Sequence, residues 1–395
     1  MAAPTRAQTH AADAVEMLTS TIRAVERSWC DIPHTSMMAR QLYGAIAHQV
    51  VGEPMREEFL PGAVSAAIRR YPHAGAQVAL HAHSVAARLL WQRSRITYSF
   101  DPTLWAELAR TAPDDSLPAE LFSFLPHVDP YIHFPEPLVL PVGKGEQQRI
   151  IGVFVHGRAT SADSARANGG SDKVNETALG GGRLPDDFSE TFAGLHCSTA
   201  DPECTGLALS FAGMMETLDG RPVNGGMPGV PQDILFTHTS LYMRDGETFG
   251  DLVRGAQRRL GMEMSHGARD DELPLMLRYA VGALVYLCCK NRDLRPVPAS
   301  PASRRKPKAG ASRPKPAKVI NVGFRVGAEL RAAKQRYDRE YGPGTGRAKA
   351  PHMRRAHAHT YRHGRGRAER KVLWLHPMLV AAGAGEPETT VVTVR

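Results

Sequence analysis

Residues 351 to 375 read PHMRRAHAHTYRHGRGRAERKVLWL. They gather His352, His357, His359 and His363 among Arg354, Arg355, Arg362, Arg365, Arg367, Arg370 and Lys371, and then turn apolar. Three chemistries fit such a run. Imidazoles ligate metals, but zinc needs three or four converging ligands, usually including thiolates or carboxylates, and the neighbours here are cations that repel a metal. No metal and no other cofactor is expected. A ribonuclease that needs no metal is the second chemistry. His357 and His359, with His352 as a further candidate, would pass a proton from the 2′-hydroxyl and to the leaving oxygen, while Arg354 or Arg355 stabilises the phosphorane. The third is binding: arginines take phosphates or carboxylates, and histidines with Tyr361 stack or hydrogen-bond. Binding asks least of the geometry. His352, Arg354, Arg355, His357, His359 and Tyr361 are therefore the expected contact residues, in a chain read as a binding protein rather than an enzyme.

If AHAHTYR is extended, residues two apart share a face, so His357, His359 and Tyr361 align while Ala356, Ala358 and Thr360 face away. Elsewhere the candidate motifs are weaker. GPGTGR at 342 to 347 lacks the Lys-Ser/Thr ending of a phosphate loop and reads as a glycine turn that ends a helix. Ser240 lies near His238 in THTSLYM, but no G-x-S-x-G elbow surrounds it, which argues against a nucleophilic hydrolase. The five cysteines, at 30, 197, 204, 288 and 289, form no C-x-x-C pair, and an odd scattered set suits a reducing compartment. His34, His81 and His83 fall in helical patterns and read as ordinary polar or core histidines.

The net charge of +9 conceals an asymmetry: residues 295 to 371 hold 22 Lys/Arg against 4 Asp/Glu. Clustered positive charge of this kind is the footprint of a protein that meets phosphate backbones or an acidic surface. No run of about 18 apolar residues suggests a membrane span, and the first residues lack the apolar core of a signal peptide. A cytoplasmic protein without a membrane partner is expected.

The elements that must position the histidines follow from periodicity. HAADAVEMLTSTIRAVERSW, SMMARQLYGAIAHQVV, EEFLPGAVSAAIRRY and AGAQVALHAHSVAARLLWQR repeat apolar residues at helical spacing. ITYSF reads as a short strand, and Asp101-Pro102 as the N-cap and first turn of a helix, followed by another short helix in SLPAELFSFLP. From about 130, PYIHF, QRIIGVFVHG, TGLALSFAG and DILFTHTSLYM show the β-branched and aromatic enrichment of strands. A helix after Gly246 and the apolar ELPLMLRYAVGALVYLCCKN cover them. VINVGF then reads as a strand, VGAELRAAKQRYDREY as a helix, and AHAHTYR and KVLWLHPMLV as a hairpin closed by HGRGRAER, with TVVTVR as a final strand. The expectation is an α+β protein: an amino-terminal helical region (1–128), a central mixed β-sheet with covering helices (129–294) that includes a polar, mobile loop near 161–187, a basic Pro-rich linker (295–318), and a carboxyl-terminal basic element of helix plus β-hairpin (319–395).

The run Pro351, His352, Arg354, Arg355, His357, His359, Tyr361, Gly364, Gly366, Trp374 and Pro377 resembles the closing segment of the type V-A anti-CRISPR proteins of the second kind, carried on phages, plasmids and other mobile elements. Upstream, VGAELRAAKQRY, LVYLCC, FTHTSLYMRDGETFGDLVRGA and RITYSFDPTLWAELARTAPDDSLPAELFSFLP are also similar to that family. Two positions depart from it: Ala358 and Arg362 stand where the family usually carries aromatics. The resemblance implies a regulator that lowers production of the type V-A effector nuclease, by recognising its nascent peptide during translation and provoking loss of the mRNA. Its implied partners are the nascent polypeptide, its mRNA or the ribosome. A general RNA-binding or protein-docking module of a mobile element, and the ribonuclease, are the alternatives.

Overall fold

The structure, a computed structural model, describes residues 6–33, 36–51, 72–110, 117–143, 145–159, 199, 204–219, 234–242, 247–263, 273–298, 316–341, 352–354, 357–367, 369–375 and 378–380. Within these residues the protein is an α+β structure built on one mixed sheet. Helices α1 (Arg6–Asp31), α2 (Ser36–Val51) and α3 (Pro72–Ser94) lead into strand β1 (Ile96–Phe100). Helix α4 (Pro102–Arg110) and a 3-10 helix (Ala119–Phe124) precede strands β2 (Tyr131–Gly143), β3 (Glu146–Ala159), β4 (Cys204–Thr217) and β5 (Ile234–Tyr242). Then come α5 (Phe249–Glu263), α6 (Leu273–Cys288), β6 (Leu294–Pro296), β7 (Lys318–Val322) and α7 (Phe324–Tyr341). Strands β8 (His352–Arg354), β9 (His357–His363), β10 (Glu369–Leu375) and β11 (Met378–Val380) close the chain.

Seven strands pair in the order β5-β4-β3-β2-β1-β7-β6. β1 runs parallel to both its neighbours, β2 and β7, and the other pairs are antiparallel. All five residues of β1 are buried, as befits a strand covered on both faces. Alternation along the strands separates two cores. Ile132, Val153, Val155 and Phe211 join α4, α5 and α6 on one face, while Tyr131, Phe154 and Ala212 join α1, α2 and α3 on the other. α1 contributes Val15, Leu18, Ile22, Val25 and Trp29, three or four residues apart, so one stripe of it is apolar. α6 is apolar nearly all round because it is sunk in the other core, with Ala280, Val281 and Ala283 through Cys289 all buried.

Two features differ from the expectation. β2 continues beyond PYIHF through Pro135, Pro137 and Pro141, with a register break between His133 and Leu138. Its pairing with β1 covers only Tyr131 to His133, so the prolines fall where a missing N–H is tolerated, at a bulge and an edge. The basic segment 295–318 starts within β6 and ends at the first residue of β7, and these two strands pair with each other, Leu294 opposite Val322. The strand beyond this segment therefore lies inside the main sheet beside β1. Residues 161–187, the helix expected in EEFLPGAVSAAIRRY, the turn at 342–347, and TVVTVR lie outside the described residues.

Candidate functional site

The carboxyl-terminal hairpin is held to the core by its apolar strand. Val372 and Trp374 of β10 and Ala358 of β9 are buried, and the Trp374 ring meets Tyr286 of α6 edge to face at 5.5 Å between centroids. The free edge of β10 is closed by Asn291, just past α6. Its Nδ2 donates to the Trp374 carbonyl and its Oδ1 accepts from the Trp374 N–H, both at 2.8 Å. Lys290 N–H donates to the Val372 carbonyl at 3.1 Å. An amide side chain thus stands in for a strand partner, and buried backbone groups stay satisfied. The turn between β9 and β10 uses Gly364 and Gly366 at φ of 77° and 67°, a conformation open to glycine without strain.

A second clamp fixes α7. Asp101 caps α4, its Oδ1 accepting from the Thr103 N–H at 2.9 Å and the Leu104 N–H at 3.3 Å. Arg331 Nη1 donates to both carboxylate oxygens at 2.9 Å and to Thr103 Oγ1 at 2.7 Å. Gly327 lets α7 approach this closely, since a Cβ there would lie 1.9 Å from Asp101 Oδ1. Asp293 caps the start of α7 through the Arg325 N–H at 2.8 Å.

With Ala358 turned inward, His357, His359 and Tyr361 line the opposite face of β9. Their rings form a ladder, His357 to His359 at 6.3 Å and His359 to Tyr361 at 4.6 Å, each pair edge to face. His359 and Tyr361 are exposed, Tyr361 by 37%. Across the hairpin, Leu375, Leu373 and Lys371 stand opposite these three residues in register, so a lysine is the cross-strand neighbour of Tyr361. The surface can stack flat rings or planar amides and offer charge at one end. His352 and Arg354 lie in β8, opposite Val380 and Met378 of β11, and Arg355 lies outside the described residues. The structure thus brings together three of the six expected contact residues. Among the described residues no group of three His, Cys, Asp or Glu is placed to hold a metal.

Other histidines lie inside. His238 is opposite Ser210 on neighbouring strands and its Nδ1 is 2.9 Å from Ser210 Oγ, while His156 Nε2 is 3.2 Å from the same oxygen. His83 of α3 packs on His238 at 4.8 Å between ring centroids. Ser240 stands opposite Ala208 instead, so the serine that meets His238 is one that sequence proximity does not reveal. Ser210 Oγ bridges the two rings and, having one proton, can donate to no more than one of them, tying β3, β4 and β5 beneath the helical layer. His81 lies at that layer against Trp29, and burial lowers its pKa to about 4. Cys288 and Cys289 are buried, and burial raises both thiols, Cys289 to about 12, which removes them as nucleophiles.

The fold and this site define an α+β protein that displays a basic, aromatic hairpin from a rigid core. Residues 98–382 match the model of the AcrVA2-like family, anti-CRISPR type V subtype A2, and the chain belongs to that family. Its function is accordingly anti-CRISPR. The chain is also similar to a solved structure, the crystal structure of AcrVA2, with 14% sequence identity over 95% of this chain and 99% of that chain and a TM-score of 0.46. No curated protein matches it. Among the described residues no helix is long and apolar enough to cross a membrane.

Proposed function

We propose that the protein lowers production of a CRISPR effector nuclease during translation in the cytoplasm, by contacting the nascent polypeptide and its mRNA and provoking loss of that mRNA. The observation that carries this reading is the ladder of half-buried His357 and exposed His359 and Tyr361 on a hairpin pinned by Trp374 and Asn291. Rings held in place by a packed strand lose little entropy on binding, which favours recognition over catalysis. Together with the basic surplus of residues 295 to 371, the ladder suits a partner that joins unpaired bases or planar side chains to negative charge. His352, Arg354 and Arg355 adjoin it in sequence and are assigned the phosphate or carboxylate contacts.

The test is crosslinking and pull-down from translating cells, with the wild type, an Arg354→Ala/Arg355→Ala double variant and a His359→Ala/Tyr361→Ala double variant. The expected result is recovery of ribosomes carrying one nascent chain and its mRNA, lost in both variants. Diverse RNA without ribosomes would sink the translational reading and leave a general RNA-binding module. The ribonuclease reading has one observation in its favour, two imidazoles 6.3 Å apart on one face. It requires RNA cleavage by purified protein in EDTA that disappears in His357→Ala and His359→Ala.

A further inference from the structure

The two edges of the carboxyl-terminal hairpin are finished differently. On the β10 side, Trp374 engages Asn291 through both its N–H and its carbonyl, and the Val372 carbonyl accepts from the Lys290 N–H. Successive residues of an antiparallel pair direct their backbone groups alternately towards the partner strand and away from it. Trp374 and Val372 therefore face away from β9, and the residues level with them, Ala358 and Thr360, face away from β10. Arg362, level with Arg370, continues the series. The bonds within the hairpin belong to the residues between, His359 with Leu373 and Tyr361 with Lys371.

Among the described residues nothing on the β9 side takes the place of Asn291. β9 pairs with β10 alone, and no backbone bond from outside the hairpin ends on Ala358, Thr360 or Arg362. Ala358 is buried, Thr360 half-buried and Arg362 exposed, so the edge opens towards the turn. There Thr360 and Arg362 each offer an N–H and a carbonyl, donors and acceptors in alternation.

An open strand edge is a template for another chain, and three kinds of partner could meet this one. A phosphate backbone brings acceptors only, which leaves the two carbonyls unanswered. A second copy of this chain would set two hairpins of like charge side by side. Residues 357 to 375 hold Arg362, Arg365, Arg367, Arg370 and Lys371 against one carboxylate, Glu369, and like charges across a strand pair are destabilising. A foreign polypeptide with acidic side chains answers both the backbone pattern and the charge.

We propose that the edge of β9 from Thr360 to Arg362 binds an extended acidic peptide as a third strand of the hairpin. Side chains at every second position of that strand stand level with His359 and Tyr361 on the outer face, and the rest with Thr360 and Arg362. Aromatic or β-branched residues suit the first set. Carboxylates suit the second, because Arg362 is exposed and has no ion pair among the described residues. The third strand deepens the proposed function and rests on its peptide contact: it states how a nascent polypeptide is held. Backbone bonds common to any sequence supply the grip, and the alternate side chains supply the choice. A chain leaving the ribosome is not yet folded, so its backbone groups are free to pair.

The probes are short peptides selected from a displayed random library on the immobilised full-length protein, then synthesised with single N-methyl groups along the backbone. Selected sequences are expected to be acidic and to alternate. N-methylation should weaken binding about tenfold at every second position, where the N–H points at β9, and less than about twofold at the positions between. Hydrogen exchange at the Thr360 amide, followed by NMR with isotope-labelled threonine, should slow when peptide is bound. Thr360→Pro removes that donor at a position where pairing with β10 does not use it, and should weaken every selected peptide about tenfold. N-methyl losses without a period of two, an unchanged Thr360 amide, or a library that yields no binder overturns the added strand. Displacement of the peptide by an equal concentration of oligouridylate gives the edge to RNA, and a dimer that Thr360→Pro dissociates gives it to a second copy; either result overturns the peptide. In the pull-down from translating cells, a nascent chain recovered equally well with Thr360→Pro overturns the edge and leaves the proposed function standing. Peptides that pass the N-methyl test while no nascent chain is recovered leave the edge standing and remove the translational reading. If Thr360→Pro does not fold, the N-methyl series and the Thr360 amide of the wild type carry the test.

Discussion

The two faces of the sheet use histidine in opposite ways. Beneath α1 to α3, His156 and His238 are buried around Ser210, with His83 packed on His238, and these side chains serve to join strands and helix. On the other side, His357 and His359 are carried outward by a hairpin whose inner surface is apolar. The difference teaches that a histidine's neighbours in sequence say less about its task than the strand it sits on and the residue behind it. It also divides the chain along the family match, which begins at residue 98, inside β1, and so takes in the sheet and the hairpin but not the three leading helices.

If the two faces differ in this way, substitutions behind the hairpin should cost stability and display together. Trp374→Ala is expected to have the largest effect, about 3–5 kcal/mol from the cavity it leaves against Tyr286, seen as a lower denaturation midpoint and lost RNA binding. Asp101→Ala comes next, at about 2–3 kcal/mol. It removes a helix cap and a buried carboxylate whose partner Arg331 is half exposed, and urea unfolding measures it. On the other face, Ser210→Ala should cost about 1–3 kcal/mol, because two imidazoles lose a shared partner, with no change in RNA affinity. A loss of affinity there would blur the contrast.

The helical face should also respond to acid. His81 has its folded pKa depressed to about 4 by burial, below the ordinary value of about 6.5. Its neutral form therefore stabilises the fold above about pH 6.5, and that contribution is lost as pH falls from there towards 4. Denaturation midpoints measured over this window should drop by about 1–2 kcal/mol more in the wild type than in His81→Gln. The smallest stability effect belongs to the exposed ladder. His359→Ala and Tyr361→Ala should stay within about 0.5 kcal/mol of wild type, while ligand binding falls by about 1–3 kcal/mol for each stacked base that is lost.

Much of this was legible in residue patterns. Period-two alternation in AHAHTYR placed His357, His359 and Tyr361 on one face, and the aligned rings bear that out. Asp101 before Pro102 announced the cap that α4 uses. What periodicity could not supply was long-range pairing. Nothing local marks Asn291 as the partner of Trp374, or Ser210 as the partner of His238, because those bonds depend on strand order and register. Likewise a Pro- and Lys-rich stretch reads as a linker wherever its ends go, and only the pairing of β6 with β7 shows that they meet in one sheet.

The contacts that hold α7 and the hairpin in place also carry a consequence for how the protein is made. Asp101 and Arg331 are 230 residues apart in the chain, and Asn291 and Trp374 are 83 apart. Contacts of such long range form late, after the segments that they join have been synthesised and the intervening chain has collapsed. A chain interrupted before Trp374 can build the sheet and both helical layers yet has nothing with which to dock a hairpin. Under the proposed function, a chain that ends before Trp374 is expected to be inactive, which expression of such a truncation beside the full chain would check.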